Sequence, residues 1–258
     1  MKELYIKNSI VCYDDWDIEN KPELTAFLKS QDIHHLIEKI GQDIIIVLGW
    51  DGSMLNTIWK YHDDGRAFLG LNFWHKWFLL NNREWFDKDA SFIVRKYPLL
   101  EVSQNGEKKW VWFNDINIFN PDGKAIQLDI SRTDIWKINL RWDGVLIATP
   151  AWSTWHSKSY RWPIIPHNSD QVIITPKWDI EGAHPQIIDG NGKPLIIKNT
   201  GRKFEVKVNI DGNLGVLSKY DEDMCIEIRR IPDKVKLLIA EEHKQDWDNK
   251  VTREQGFR

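Results

Sequence analysis

Asp51 is the residue best placed to do chemistry. It lies in Gly49-Trp50-Asp51-Gly52-Ser53, between the β-branched run Asp43–Leu48 and the helix-like stretch Met54–Ile58. A tight turn at the carboxyl end of a parallel strand is where open α/β sheets bind ligands. Glycines there let backbone amides approach phosphate, and a helix N-terminus adds a favourable dipole. A carboxylate in such a loop repels phosphate, so Asp51 would have another task, accepting the proton of an attacking hydroxyl or holding that hydroxyl by hydrogen bond. The alternative is a turn aspartate that caps the next helix. The chain contains no G-x-x-x-x-G-K-[ST] segment and so is not a P-loop enzyme.

Other polar groups cluster later in the chain: Asn114-Asp115, Arg141-Trp142-Asp143-Gly144 and Ser153-Thr154-Trp155-His156. Taken singly, these are a turn or strand end, an exposed ion pair and an ST-turn. His75, His156 and His167 have no ligand partner at fixed spacing, and Cys12 and Cys225 are far apart, so no protein-bound metal is expected.

The elements that must position these groups change character along the chain. Leu4–Tyr13 reads as a first strand, and Pro22–Ile40 has helical apolar spacing at Leu24, Phe27, Leu28, Leu36, Ile37 and Ile40. Asp43–Leu48 suits a strand buried on both faces of a parallel sheet, and Phe68–Phe73 the next one. From about residue 91 short β-rich segments alternate with turn signals such as Pro121-Asp122-Gly123, Asp189-Gly190-Asn191-Gly192 and Asp211-Gly212. The pattern predicts an N-terminal α/β nucleotide-binding domain over 1–100 and an antiparallel β-sandwich over 101–230, followed by a terminal segment, 231–258.

Of 258 residues, 42% are hydrophobic and the formal charge is −3, with both signs interspersed; no broad basic field for nucleic acid exists. No apolar run approaches the roughly 20 residues of a membrane helix, and Met1-Lys2-Glu3-Leu4 opens no signal-peptide pattern, so a soluble cytoplasmic protein is expected.

Gly49-Trp50-Asp51-Gly52-Ser53-Met54-Leu55 resembles the Gly-Gly-Asp-Gly-Thr/Ser signature that NAD kinases share with diacylglycerol-type lipid kinases and phosphofructokinases. Three further blocks resemble the NAD kinases specifically. Gly70-Leu71-Asn72-Phe73-Trp74-His75-Lys76-Trp77-Phe78-Leu79 is similar to Gly-Ile-Asn-x-Gly-x-x-Gly-Phe-Leu, Asn114-Asp115 to Asn-Glu, and 141–154 to Arg-Gly-Asp-Gly-Leu-Ile-Val-x-Thr-Pro-x-Gly-Ser-Thr. Pro163-Ile164, Pro166-His167 and Asp211-Gly212 extend the likeness, in family order over about 45–215. The resemblance implies that Asp51 is the proton acceptor and, with Gly52, contacts the adenosine ribose. It implies that Asn114 and Asp115 hold dinucleotide hydroxyls and that Arg141 and Asp143 flank the ligand. Thr154, Trp155, His156, Ser157, Lys158 and Ser159 would line its pocket, and Asn213 would add a polar contact. It further implies NAD as substrate, ATP or another phosphoryl donor with Mg²⁺, a homodimer or homotetramer, and a terminal segment that returns to the first domain. A lipid or small-molecule kinase sharing the Asp51 loop, or a non-catalytic NAD-binding protein, is the alternative.

The chain holds 15 Trp and only 15 Gly, and Trp is ordinarily among the rarest residues. Trp50, Trp74, Trp77, Trp142 and Trp152 fall on motif glycines, Trp162 on the second Gly of a usual pair, and Trp155 where the family has Ala or Gly. Glycine serves where φ is positive or where backbone approaches a ligand. The economical explanation is a gene that reads UGA as glycine, rendered here with tryptophan; the competing one is a Trp-rich binding surface with indoles as stacking platforms. At Trp50 in particular, backbone strain is expected.

Overall fold

The computed structural model describes residues 1–41, 43–74, 79–83, 91–132, 136–152, 165, 169–177, 186–191, 193–200, 206–211, 213–218 and 225–241. They form two compact units, one comprising Met1–Tyr97 and the segment from Asp233, the other Pro98–Pro232.

In the first unit, β1 (Lys2–Ile6) and β2 (Ser9–Tyr13) form an antiparallel hairpin. The single strand expected over 4–13 is thus two, because Lys7 turns the chain with a left-handed φ of 54°. α1 (Asp15–Asn20), α2 (Pro22–Lys29) and α3 (Asp32–Ile40) follow. The one helix expected over 22–40 breaks at Ser30, which is extended at ψ 165° and whose Oγ accepts the Asp32 amide at the start of α3. β3 (Ile44–Gly49), buried along its whole length, pairs in parallel with β2 and with β4 (Ala67–Asn72), and the short β5 (Asn81–Asn82) pairs with β4. α4 (Asp51–Tyr61) joins β3 to β4. Leu24, Ile33, Leu36 and Ile37 of the helices pack with Ile44, Ile46 and Leu48 of β3 and Leu69 and Leu71 of β4. That core explains why β3 carries an unbroken apolar run rather than an alternating one.

The second unit is antiparallel. β6 (Phe92–Gln104) pairs with β7 (Glu107–Trp112). β8 (Asp115–Phe119), β9 (Ile126–Arg132), β10 (Trp136–Trp142), β11 (Gly144–Ala148) and β12 (Gln171–Lys177) come next. β13 (Gln186–Asp189), β14 (Leu195–Asn199), β15 (Val206–Ile210), β16 (Asn213–Ser218) and β17 (Cys225–Ala240) complete the set. One sheet runs β13-β12-β11-β8-β15-β16. The other runs β10-β9-β14 and on to β17, beside which β6 and β7 lie. Alternate residues of both, among them Ile116, Ile118, Val145, Ile147, Ile126, Leu128, Ile130 and Ile197, interlock in one apolar layer, the inward half of a strand's period of two. β7 and β8 are separated by Phe113-Asn114, which belong to neither strand. The last strand pairs with β6 and with two other strands: Cys225–Ile228 run antiparallel to β14, and Leu237 pairs in parallel with Phe68 of β4.

The fold class expected from the sequence, an α/β unit followed by an antiparallel β-sandwich, is the one observed. Among the described residues no helix is long and apolar enough to cross a membrane.

Candidate functional site

Asp51 opens α4 directly at the carboxyl end of β3, and its carboxylate is largely buried at 8% exposure. Oδ1 accepts the Leu79 amide at 2.8 Å, so the side chain has a fixed direction. A negative group in a first helical turn is favoured by the helix dipole, which holds Asp51 at the mouth of the loop.

Gly49 shows why the loop needs glycine. Its φ is +149°, and a Cβ there would lie 2.6 Å from Ser53 Oγ and 2.7 Å from Asp17 Oδ2. Asp17, on α1, is fully buried and accepts hydrogen bonds from Ser53 Oγ at 3.2 Å and Trp74 Nε1 at 2.9 Å. Burial pushes its carboxyl above the ordinary range; the Trp74 and Ser53 donors oppose that rise and Asp14 adds to it. Nothing in the sequence pattern ties Asp17 to a loop more than thirty residues away; |i−j| is 36 for the Ser53 bond.

Trp50 does not act through strain. Trp50 has φ −137° and ψ −179°, ordinary extended backbone, so the strain expected there is absent. Its indole instead lies on Gly52: a Cβ at Gly52 would stand 2.6 Å from both Cζ2 and Cη2 of Trp50. The glycine backbone that could meet a ligand is covered. Trp74 stacks on Trp16 with ring centroids 4.9 Å apart, and Lys21 lies over its ring.

In the second unit Asn114 and Asp115 sit where β7 ends and β8 begins. Asn114 is 1% exposed, and neither its Nδ2 nor its Oδ1 has a hydrogen-bond partner among the described residues. Buried amides are ordinarily paired, and leaving one unpaired costs about 1–3 kcal/mol. The backbone around it is fully engaged: Thr149 N donates to Asn114 O and Thr149 Oγ1 to Phe113 O, both at 2.8 Å. The register of β12, β11, β8 and β15 lines up Thr175, Leu146, Asn117 and Asn209 in one row across the sheet. The side-chain oxygens of Thr175, Asn117 and Asn209 are likewise buried without a partner. This row of acceptors, two residues along β8 from Asp115, is suited to donors such as hydroxyl and amino groups.

Arg141, on β10, is exposed; Asp143 is half-buried and precedes Gly144, the first residue of β11. Opposite Gly144 stands Lys177, half-buried and unremarked by the sequence pattern. Burial pushes its ammonium below the ordinary range, and the carboxylates of Asp115 and Asp143 oppose that shift. Lys177 therefore belongs electrostatically with two of the expected site residues. Asn213 begins β16, paired with Ile210. Thr154, Trp155, His156, Ser157, Lys158 and Ser159 lie outside the described residues, as does Trp77. No group of three His, Cys, Asp or Glu side chains with metal-holding geometry occurs among the described residues. Cys12 is buried, which pushes its thiol up to about 12 and leaves it unreactive.

No protein-family model matches the chain. The NAD kinase of Sulfurisphaera tokodaii is 28% identical to it over 248 residues, covering 84% of this chain and 92% of the relative. Yeast NADH kinase, solved in complex with NADH, superposes with a TM-score of 0.69 at 20% identity, over 84% of this chain and 67% of that one. An NAD kinase from Archaeoglobus fulgidus, solved with ATP, gives 0.65 at 19% identity over 95% and 98%. At these identities the solved structures show the fold: this chain is folded as those kinases are.

Proposed function

We propose that this chain is an NAD kinase, which transfers the terminal phosphoryl group of ATP, or of another donor, to the adenosine ribose 2′-hydroxyl of NAD and so makes NADP. The observation that carries this reading is Asp51: a buried, directed carboxylate as the first residue of a helix, at the carboxyl end of a parallel strand. Its support is the likeness to kinases of that name over most of the chain.

The residues divide the work as follows. The 2′-oxygen attacks the terminal phosphorus, the bond from that phosphorus to the leaving phosphate oxygen breaks, and Asp51 takes the hydroxyl proton. Phosphoryl transfer asks a protein mainly to position groups and stabilise charge. The first-turn amides of α4 offer donors for that charge. Asn114 and Asp115 hold dinucleotide hydroxyls, Arg141 and Asp143 flank the ligand, and 154–159 together with Asn213 complete the pocket. Mg²⁺ carried by the triphosphate, not by a protein cage, would offset the phosphate charge. The working protein is a cytoplasmic homodimer or homotetramer. An acceptor panel of NAD, NADH, a diacylglycerol and a sugar phosphate with ATP, run on the protein with glycine at 50, 74, 77, 142, 152, 155 and 162, tests the assignment. NADP or NADPH as the product supports it, and turnover of the lipid or sugar alone contradicts it.

Asn114→Ala is expected to act with opposite signs on two observables. In the protein with glycine at the motif positions 50, 74, 77, 142, 152, 155 and 162, NAD affinity falls by about 1–3 kcal/mol because a ligand group loses its partner. The melting temperature holds or rises, because an unpartnered buried amide has been removed. Calorimetry with NAD and a thermal melt read the two; unchanged affinity returns Asn114 to a plain turn.

We further propose that the tryptophans at 50, 74, 77, 142, 152, 155 and 162 are glycine in the protein as its own cell makes it. The support is their coincidence with motif glycines and the indole of Trp50 lying on Gly52. The codons at these positions are expected to be UGA, and tryptic peptides from the source organism to carry glycine there. UGG codons would end the idea.

A further inference from the structure

Three successive backbone N–H groups converge on one side chain. Asp211 Oδ2 accepts from Phe113 at 2.9 Å, and Oδ1 accepts from Asn114 at 2.8 Å and Asp115 at 3.2 Å. Asp211 N returns a bond to Asp115 O at 3.2 Å. Consecutive amides turned to one point are the geometry with which backbone binds anions, and here the chain supplies the anion from almost a hundred residues away, |i−j| being 96 to 98. The need is local: Phe113 and Asn114 lie between β7 and β8, outside the ladder, so their amides require an acceptor. Asp211 reaches them from the turn after β15 with a left-handed φ of 47°, a conformation aspartate tolerates better than most residues. The residue keeps some exposure at that turn while its carboxylate is enclosed.

We propose that Asp211 is a positioning residue for the dinucleotide: by holding the backbone of Phe113, Asn114 and Asp115, it sets where the Asn114 amide and the Asp115 carboxylate point. The proposal rests on the NAD kinase reading above. It gives Asp211 no contact with substrate and no part in the transfer step.

Burial pushes the Asp211 carboxyl up to about 7; the three amides oppose the rise, and Asp115, the charged group facing it from β8, adds to it. Ionised, the carboxylate accepts all three bonds. A proton on it turns an acceptor into a donor facing amides, and the clamp loosens. Because burial outweighs the three amides, the folded protein binds this proton more readily than the unfolded chain, whose carboxyl has the ordinary value of 3.8. The resulting stability is full at low pH and is lost as pH rises to about 7. NAD affinity runs the other way, improving as pH rises through that value.

The test is Asp211→Asn in the protein with glycine at the seven positions, which serves as the wild type here, with steady-state kinetics, a double variant and amide hydrogen exchange. KM for NAD is expected to rise about tenfold or more while kcat changes by less than about twofold, a split that a general loss of folded protein does not produce. Adding Asn114→Ala should cause no further loss, since both changes act through one contact. Exchange at the Phe113, Asn114 and Asp115 amides should quicken while the rest of β8 is unaltered. In the wild type, KM for NAD should climb as pH falls below about 7, a measurement that needs no variant to fold. An active wild type with unchanged KM in the variant, additive losses in the double variant, or a flat pH profile overturns the proposal. A wild type that makes no NADP overturns the kinase reading instead; unaltered exchange at the three amides then overturns the clamp by itself.

Discussion

In the protein carrying glycine at 50, 74, 77, 142, 152, 155 and 162, Asp51→Asn is expected to lower turnover by roughly 10²–10⁴-fold, the usual worth of a positioned base, while NAD affinity stays within about threefold, under 1 kcal/mol. The substitution is well matched to the question. Asparagine keeps an oxygen that can accept the Leu79 amide, the contact that fixes the side chain at 2.8 Å, and it keeps the residue's size at the start of α4. What it removes is the ability to take a proton. Loss of kcat with retained binding is the signature of a group used in the transition state. Turnover near that of the wild type in a steady-state assay would remove Asp51 from the role of base and leave it as the acceptor that holds the Leu79 amide.

The second large effect concerns the tryptophans. As the sequence stands, the Trp50 indole covers Gly52, and the protein is expected to fold but to bind no NAD. Glycine at 50, 74, 77, 142, 152, 155 and 162 is expected to restore NAD-dependent consumption of ATP from an undetectable level. Stability should not move in step with activity. At position 50 the backbone is extended at φ −137°, so Trp50→Gly relieves no strain and adds unfolded-state entropy, costing about 0.5–1 kcal/mol. At position 74 the indole donates to the buried Asp17 and stacks on Trp16. Trp74→Gly is therefore expected to cost about 1–3 kcal/mol by leaving Asp17 Oδ1 without its donor while Ser53 still serves Oδ2, and to lower the melting temperature. Thermal melts and NADP formation on both forms separate the two effects. Equal activity of the two forms would mean that tryptophan belongs in these loops.

Part of this architecture is legible in the sequence itself. The Asp51 loop is contiguous, so the glycines, the carboxylate and the helix that follows can be read from one stretch, and β3 advertises its double-sided burial as an unbroken apolar run. The antiparallel unit is visible in its alternation and its Asp-Gly turns. What escapes is everything made by distant partners. Asp17 and Asp211 look like ordinary turn or helix aspartates until the chain is folded, because the amides and hydroxyls they hold come from other parts of the sequence. Lys177 is one lysine among many until the β11–β12 register sets it opposite Gly144. The break at Ser30 shows only as a slip in phase: at about 100° per residue Leu24, Phe27 and Leu28 fall on one helical face and Leu36, Ile37 and Ile40 on nearly the opposite one. Trp50 is the instructive miss. Its position on a motif glycine suggests a conformational demand, but the backbone there is extended, and the obstruction comes from where the indole lies.

The most direct test of the central claim is the chemistry itself. Purified protein, with glycine at the seven positions, is incubated with NAD and ATP carrying a labelled terminal phosphate, and the dinucleotide product is isolated. An NAD kinase with Asp51 as its base puts the label on the adenosine ribose 2′-oxygen, in a product that an NADP-specific dehydrogenase accepts, and the Asp51→Asn protein makes next to none of it. Label appearing on another acceptor, or ATP spent at the same rate with and without NAD, would contradict that claim.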